Sequence, residues 1–275
     1  MCVAAAAAGQ PSLTDQVGHS LSVRPVSRVL TLAPDVTELA FALGAGAKVP
    51  AVPRSASYPP ETDALPRFDE NDTEAIVTLR PDLVLATTAG TDPRMVERLR
   101  ELGLEVATTD VTSFERLGEA CRLLGVLLGQ PERGDALASD LGGRVAAASA
   151  RARGWPIRAA LFVVWWEPLI VAAPGTFHDD LLRRAGLANL APSGAGRYPR
   201  ASNELLLDPR LEVVVAADEP PLRDLYRSLS TRAEGRRLAR GTVQVIWLPA
   251  DPASRPGPRL VEALEALVEA RGGFR

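Results

Sequence analysis

The stretch from Pro131 to Arg153, PERGDALASDLGGRVAAASARAR, constrains the fold of this chain more than any other. A proline at the first position and Glu132 in the first turn suit a helix start. Leu137, Leu141 and Val145 recur every four residues and form one apolar stripe. Arg133, Asp135, Asp140, Arg144, Arg151 and Arg153 occupy much of the remaining surface. Such a helix spans roughly 34 Å at 1.5 Å per residue, about the diameter of a small domain. Gly142-Gly143 is its weak point, each glycine costing about 1 kcal/mol against alanine in a helix interior.

The sequence on either side of this helix looks alike. Before it come a strand pattern over residues 28–32, a loop, a helical pattern, and Leu79-Arg80-Pro81-Asp82-Leu83-Val84. After it come a strand pattern over residues 159–164, a loop, a helical pattern, and Leu207-Asp208-Pro209-Arg210-Leu211-Glu212-Val213. Strands alternating with helices of this length indicate parallel sheets. The expectation is an α/β fold: two Rossmann-like lobes, residues 14–130 and 154–275, joined by the single long helix 131–153, with a ligand cleft between the lobes. One α/β domain containing an ordinary long helix is the alternative. Residues 1–13 are Ala-rich and read as a disordered lead.

Composition removes several classes of function. The net charge is −3, and no basic run points to nucleic acid. No run of about 18 apolar residues exists to cross a membrane. Two cysteines and two histidines are too few to suggest a zinc site, so no metal or cofactor is expected. Cys121 lies in a helical pattern and reads as a buried free thiol. Cys2 follows Met1 directly and no signal sequence precedes it. It reads either as the lipid-anchored first residue of a mature lipoprotein or as a chance of where the sequence begins.

Pro34-Asp35-Val36-Thr37-Glu38 suggests a helix start with Asp35 as cap and Glu38 completing a capping box. Gly44-Ala45-Gly46 follows a helix rather than a strand, which rules it out as a phosphate loop. Asp72-Thr73-Glu74 and Ser202-Asn203-Glu204 are further capped starts.

Ligands of open α/β sheets bind beyond the carboxyl ends of the strands. Arg54, Ser55 and Tyr58 lie there in the first lobe. Trp165, Trp166, Glu167, Tyr198, Trp247, Asp251 and Arg255 lie there in the second. Three of the four tryptophans fall in these strand exits, so they are candidate cleft rings, with packing of one or two of them in the core as the alternative. Flat rings on a cleft wall suit a large, partly apolar ligand that is held without being transformed. Trp166 is the first choice for the ligand-facing indole, and Trp165 replaces it if strand register turns the other ring outward. No nucleophile elbow, P-loop or paired-cysteine redox motif is present. His178, at a helix start, reads as a packing residue. An α/β enzyme acting on a cofactor would need an acid–base pair such as Glu167 with Asp251.

Residues 28–39 (RVLTLAPDVTEL), Tyr58-Pro59-Pro60, residues 79–84 (LRPDLV) and Pro174-Gly175-Thr176-Phe177 together resemble the substrate-binding proteins of ABC importers for cobalamin, haem and iron–siderophores. The likeness runs from about residue 14 to the end. It implies a two-lobed, non-catalytic, monomeric receptor at the periplasmic or outer face of the membrane, which hands its ligand to an ABC permease. The resemblance is nearest to the cobalamin binders, which implies a corrinoid ligand. Their docking carboxylates match Glu74 and Glu204, Tyr198 stands where they carry a cleft tryptophan, and Asp251 matches an acidic cleft residue. Ser55 departs from that pattern by replacing an expected aromatic residue, and the Phe68-Asp69-Glu70-Asn71 segment by lacking an expected tryptophan. Arg54 is an addition suited to a carboxylate of haem or of a siderophore, and Tyr58, Tyr198 or His178 are the iron-ligand candidates on that alternative.

Overall fold

A computed structural model describes residues 12–273, so Cys2 and most of the Ala-rich lead lie outside the described residues. The described chain divides into two compact units. One holds the chain up to Asp110 together with Glu119–Leu137; the other holds Val111–Gly118 and the chain from Ala138 onward.

The first unit opens with a hairpin, β1 (Ser12–Thr14) paired antiparallel with β2 (Ser20–Ser22). One Asp15 oxygen accepts the Val17 and His19 N–H groups and closes the turn, while the other accepts the Thr108 N–H at 3.0 Å. His19 is thus a turn residue. β3 (Val29–Thr31) runs into α1 (Pro34–Ala42). The short β4 (Val52–Pro53) pairs in parallel with β5 (Arg67–Phe68). α2 (Thr73–Thr78) leads to β6 (Leu83–Thr87), and α3 (Pro93–Glu101) to β7 (Val106–Thr109). The parallel sheet runs β3-β6-β7, and every residue of its strands is buried, as expected of strands covered on both faces.

The cap of α1 is not the expected one. Pro34 takes the first helical position, so the cap is Ala33, whose methyl can accept no hydrogen bond, and Asp35 falls inside the first turn. There it is 3 % exposed and one of its carboxylate oxygens has no partner among the described residues. Burial pushes its pKa up to about 6, against hydrogen bonds from Thr87 and the Val36 N–H that pull the other way.

α4 (Phe114–Leu127) and α5 (Pro131–Ala152) each pass from one unit to the other within their own length. Both contribute to the first unit where Gly125 meets Gly134. A Cβ on Gly125 would come within 2.9 Å of the Gly134 backbone, so only glycine permits the approach. The buried stripe of α5 runs Ala138, Leu141, Val145, Ala148 and Ala152; Leu141 and Val145 lie on it as the spacing predicts, while Leu137 is only half-buried and small alanines fill the rest. Gly142 and Gly143 sit in unbroken helix with open space around them. Cys121 of α4 is a buried free thiol whose pKa burial pushes up to about 12.

The second unit is a five-stranded sheet. β8 (Arg158–Trp166) continues into the antiparallel β9 (Leu169–Val171), and α6 (Phe177–Arg184) leads to β10 (Leu187–Asn189). β11 (Val213–Ala217), α7 (Pro220–Ser230), α8 (Arg236–Ala239), β12 (Gln244–Leu248), α9 (Ala250–Ser254) and α10 (Leu260–Gly272) complete it. Parallel pairing gives the order β10-β8-β11-β12. Near the end of α10 the buried Arg271 donates to the Ala185 and Pro156 carbonyls and stacks on Trp155, tying the last helix to the end of α6 and the approach to β8.

Candidate functional site

In the first unit the candidates lie on the loop leaving β4. Glu70, just past β5, holds this loop: one carboxylate oxygen accepts the Arg54 N–H at 3.0 Å and the other the Ser55 hydroxyl at 2.5 Å. From the same segment the Arg67 guanidinium reaches the Pro53 and Ala56 carbonyls. The loop is therefore fixed by side chains outside it. The Arg54 side chain makes no ion pair among the described residues, and Tyr58 is 38 % exposed. Neither Glu70 nor Arg67 stood out in the sequence, because nothing in linear spacing ties them to Ser55.

In the second unit the strand register decides which indole turns outward. β8 carries a β-bulge between Val163 and Trp165, after which Trp165 pairs with Ile170 and Trp166 with Leu169. Cross-strand partners share a face, and a one-residue shift exchanges the faces. Trp165 and the half-buried Ile170 look outward, while Trp166 and Leu169 are buried at 0 % and 1 % exposure. The first-choice indole, Trp166, is therefore corrected to a core residue. It packs in an aromatic cluster, 5.3 Å from Tyr226 and 6.3 Å from Trp247. Trp165, 37 % exposed, is the indole available to a ligand, its Nε1 donating to the Glu167 carbonyl. Trp247 is half-buried, and one face of its ring is taken by Arg223 at 4.2 Å. Asp218 grips that arginine through two hydrogen bonds of 2.6 and 2.8 Å.

The charged candidates are mostly committed to partners. Arg232 binds both oxygens of Glu167 at 2.8 and 2.9 Å and holds its carboxyl below the usual carboxylate range. Asp251 faces Arg255 at 3.1 Å and Arg259 at 3.4 Å. Each of the two carboxylates that an acid–base reading would need is thus neutralised by arginine.

His178 is buried against Phe162 and Phe177, whose tilted rings lie with centroids 4.0 and 3.8 Å from the imidazole. Burial pushes its pKa down to about 3, so the ring is neutral at physiological pH. Its Nε2 lies 3.0 Å from the Ala253 carbonyl, which can only accept, so Nε2 carries the proton. Nδ1 is then the acceptor for the Tyr198 hydroxyl at 3.4 Å. The Tyr198 ring is 40 % exposed while its hydroxyl end is tucked against this imidazole, and the surrounding protein pushes the phenol up to about 12. His178 orients Tyr198 and has no ring nitrogen to spare.

Glu74 and Glu204 occupy matching places, one in each unit. Asp72 accepts the Glu74 N–H at 2.9 Å, and Ser202 accepts the Glu204 N–H at 3.2 Å at the start of a 3₁₀ turn, Asn203–Leu207. Both carboxylates are exposed, and neither makes an ion pair among the described residues.

Comparison with known proteins bears on this arrangement. Residues 29–231 match a family model described as periplasmic binding protein. A vitamin B12-binding protein of Vibrio cholerae serotype O1 is 29 % identical over 246 residues, covering 88 % of this chain and 87 % of that protein. The solved structure of the periplasmic vitamin B12 binding protein BtuF of Vibrio cholerae superposes with a TM-score of 0.78 at 26 % identity, over 91 % of this chain and 99 % of that one. The periplasmic heme-binding protein RhuT from Roseiflexus sp. RS-1, in its apo form, superposes with a TM-score of 0.72 at 28 % identity, over 89 % and 98 %. The α/β fold with parallel sheets expected from the sequence is the fold of these proteins, and their shared role is binding rather than catalysis. By the match over residues 29–231, this chain belongs to the periplasmic binding protein family and is a substrate-binding protein, not an enzyme.

Proposed function

We propose that the protein captures cobalamin or a closely related corrinoid outside the cytoplasmic membrane and delivers it to the permease of an ABC importer. The observation that carries this reading is the likeness to a vitamin B12-binding protein over 88 % of the chain. The outward aromatic groups of the second unit, Trp165 and Tyr198, agree with it, since a corrin ring offers broad apolar faces to indole and phenol. The clamped Arg54–Tyr58 loop supplies polar contacts suited to the amide arms of the same ligand. Glu74 and Glu204 dock the loaded protein by pairing with arginines on the permease. Cys2, as a lipid anchor, would keep the protein near that partner.

A second reading, haem, is favoured by the 28 % identity to a heme-binding protein and by the exposed Tyr58. Two of the three iron-ligand candidates speak against it. His178 has both ring nitrogens engaged, and Tyr198 has its phenol pushed up, away from the phenolate that iron prefers. Titration calorimetry with cyanocobalamin tests the first reading, and a Soret shift on adding haemin tests the second. Absence of heat and of any thermal shift at high micromolar cyanocobalamin rejects the corrinoid.

A further inference from the structure

The two turns that carry Glu74 and Glu204 share more than a carboxylate. In each, the residue four places after the cap, Ile76 or Leu206, is fully buried. In each, the next residue is an aliphatic side chain turned out to solvent: Val77 is 39 % exposed and Leu207 45 %. Side chains three apart are neighbours on an α-turn and eclipse one another on a 3₁₀ turn. Each unit therefore shows an unpaired carboxylate beside an uncovered aliphatic group. Glu204 and Leu207 line a hollow of about 790 Å³ together with Leu190, Leu205, Pro209, Arg200 and the ion-paired Asp208 and Arg210.

Charged pairs across an interface raise the on-rate and fix the register more than they set affinity, because both partners shed water to meet. Apolar burial beside them adds to affinity and slows dissociation. Resting on the docking role given to Glu74 and Glu204 above, we infer that each docking contact has two halves, Glu74 with Val77 and Glu204 with Leu207. The permease segment that each receives carries an arginine with an apolar side chain about one turn away. At the second unit that apolar side chain enters the hollow beside Leu207. Unpaired negative charge selects the basic member of the partner, and the exposed aliphatic groups select the apolar one.

The test uses the full chain and a cobalamin importer's permease from the same organism in lipid nanodiscs. It compares wild type, V77S/L207S and E74A/E204A for complex formation at low and high salt. Because Val77 and Leu207 are exposed, V77S/L207S keeps the wild-type melting temperature and cyanocobalamin affinity. Its permease Kd is expected to rise by about tenfold or more, because two exposed aliphatic side chains no longer leave water on docking. It retains the steep salt dependence of wild type, because its carboxylates remain. E74A/E204A flattens that dependence. An unchanged Kd for V77S/L207S alongside a weakened E74A/E204A refutes the apolar halves alone. Unchanged Kd for both removes the docking role itself. Self-association of wild type that V77S/L207S abolishes would assign these faces to a second copy of the chain and overturn the inference.

Discussion

Trp165 and Trp166 are adjacent in sequence, and their replacement by alanine is expected to separate ligand binding from folding. Trp165 leaves 37 % of its surface in water. Taking about 250 Å² for a whole tryptophan, a ligand that covers it removes roughly 90 Å² from water. At about 25 cal/mol per Å² this is ~2 kcal/mol, or a loss of about 40-fold in affinity on Trp165→Ala. Trp166 has no surface left for a ligand to cover, and its indole fills the space between Leu169, Tyr226 and Trp247. Trp166→Ala is therefore expected to cost about 3–5 kcal/mol of stability. Cyanocobalamin calorimetry beside urea denaturation reads both effects. Trp165→Ala should raise Kd and leave the denaturation midpoint near wild type, and Trp166→Ala should do the reverse where it still folds. The conservative Trp166→Phe keeps the second arm measurable. A Trp165→Ala variant that binds within twofold of wild type, or a folded Trp166→Phe variant that loses more affinity than Trp165→Ala, refutes the assignment of the outward face.

Three other outcomes follow from the packing. Asp35 titrates near 6 in the folded chain against 3.8 when free, so the folded state holds the extra proton between those values. Stability then falls as pH rises from about 4 to 6, by on the order of 3 kcal/mol, and is flat above. Asp35→Asn should remove that slope and melt higher than wild type at pH 7.5, which thermal melts of both proteins across pH 4.5–7.5 will show. Gly142→Ala and Gly143→Ala meet nothing within 4 Å and should each stabilise by roughly 0.5–1 kcal/mol in urea denaturation. Arg271→Met strips donors from the Ala185 and Pro156 carbonyls and should lower stability by about 2–4 kcal/mol, read as a shift of the denaturation midpoint.

The elements that the sequence announced clearly are those whose apolar period is long or whose caps are explicit. α5, the buried parallel strands, and the Asp72 and Ser202 turns were legible for that reason. The face of Trp166 was not, because it depends on a one-residue bulge that leaves no mark in composition. The cap of α1 was misread because Pro34 can itself take the first helical position, which moves Asp35 into the helix. The partners of the charged candidates were hidden for a third reason. Glu70 lies 15 residues from Ser55 and Arg232 lies 65 residues from Glu167, and no local rule links such pairs.

The way the Arg54 loop is held has a consequence for how this protein can change. Glu70 takes hold of Arg54 only by its main-chain N–H, and on this loop Arg67 reaches the carbonyls of Pro53 and Ala56, its remaining bonds going to the Thr62 carbonyl and the Asp63 carboxylate. At Arg54, unlike Ser55 whose hydroxyl is part of the clamp, backbone course and side-chain identity are thus written at separate positions. A lineage of such proteins can exchange Arg54 for another residue, and with it the chemical group offered to a cargo, while the peptide path beneath stays as it was. Alteration of taste without alteration of form needs only one codon here.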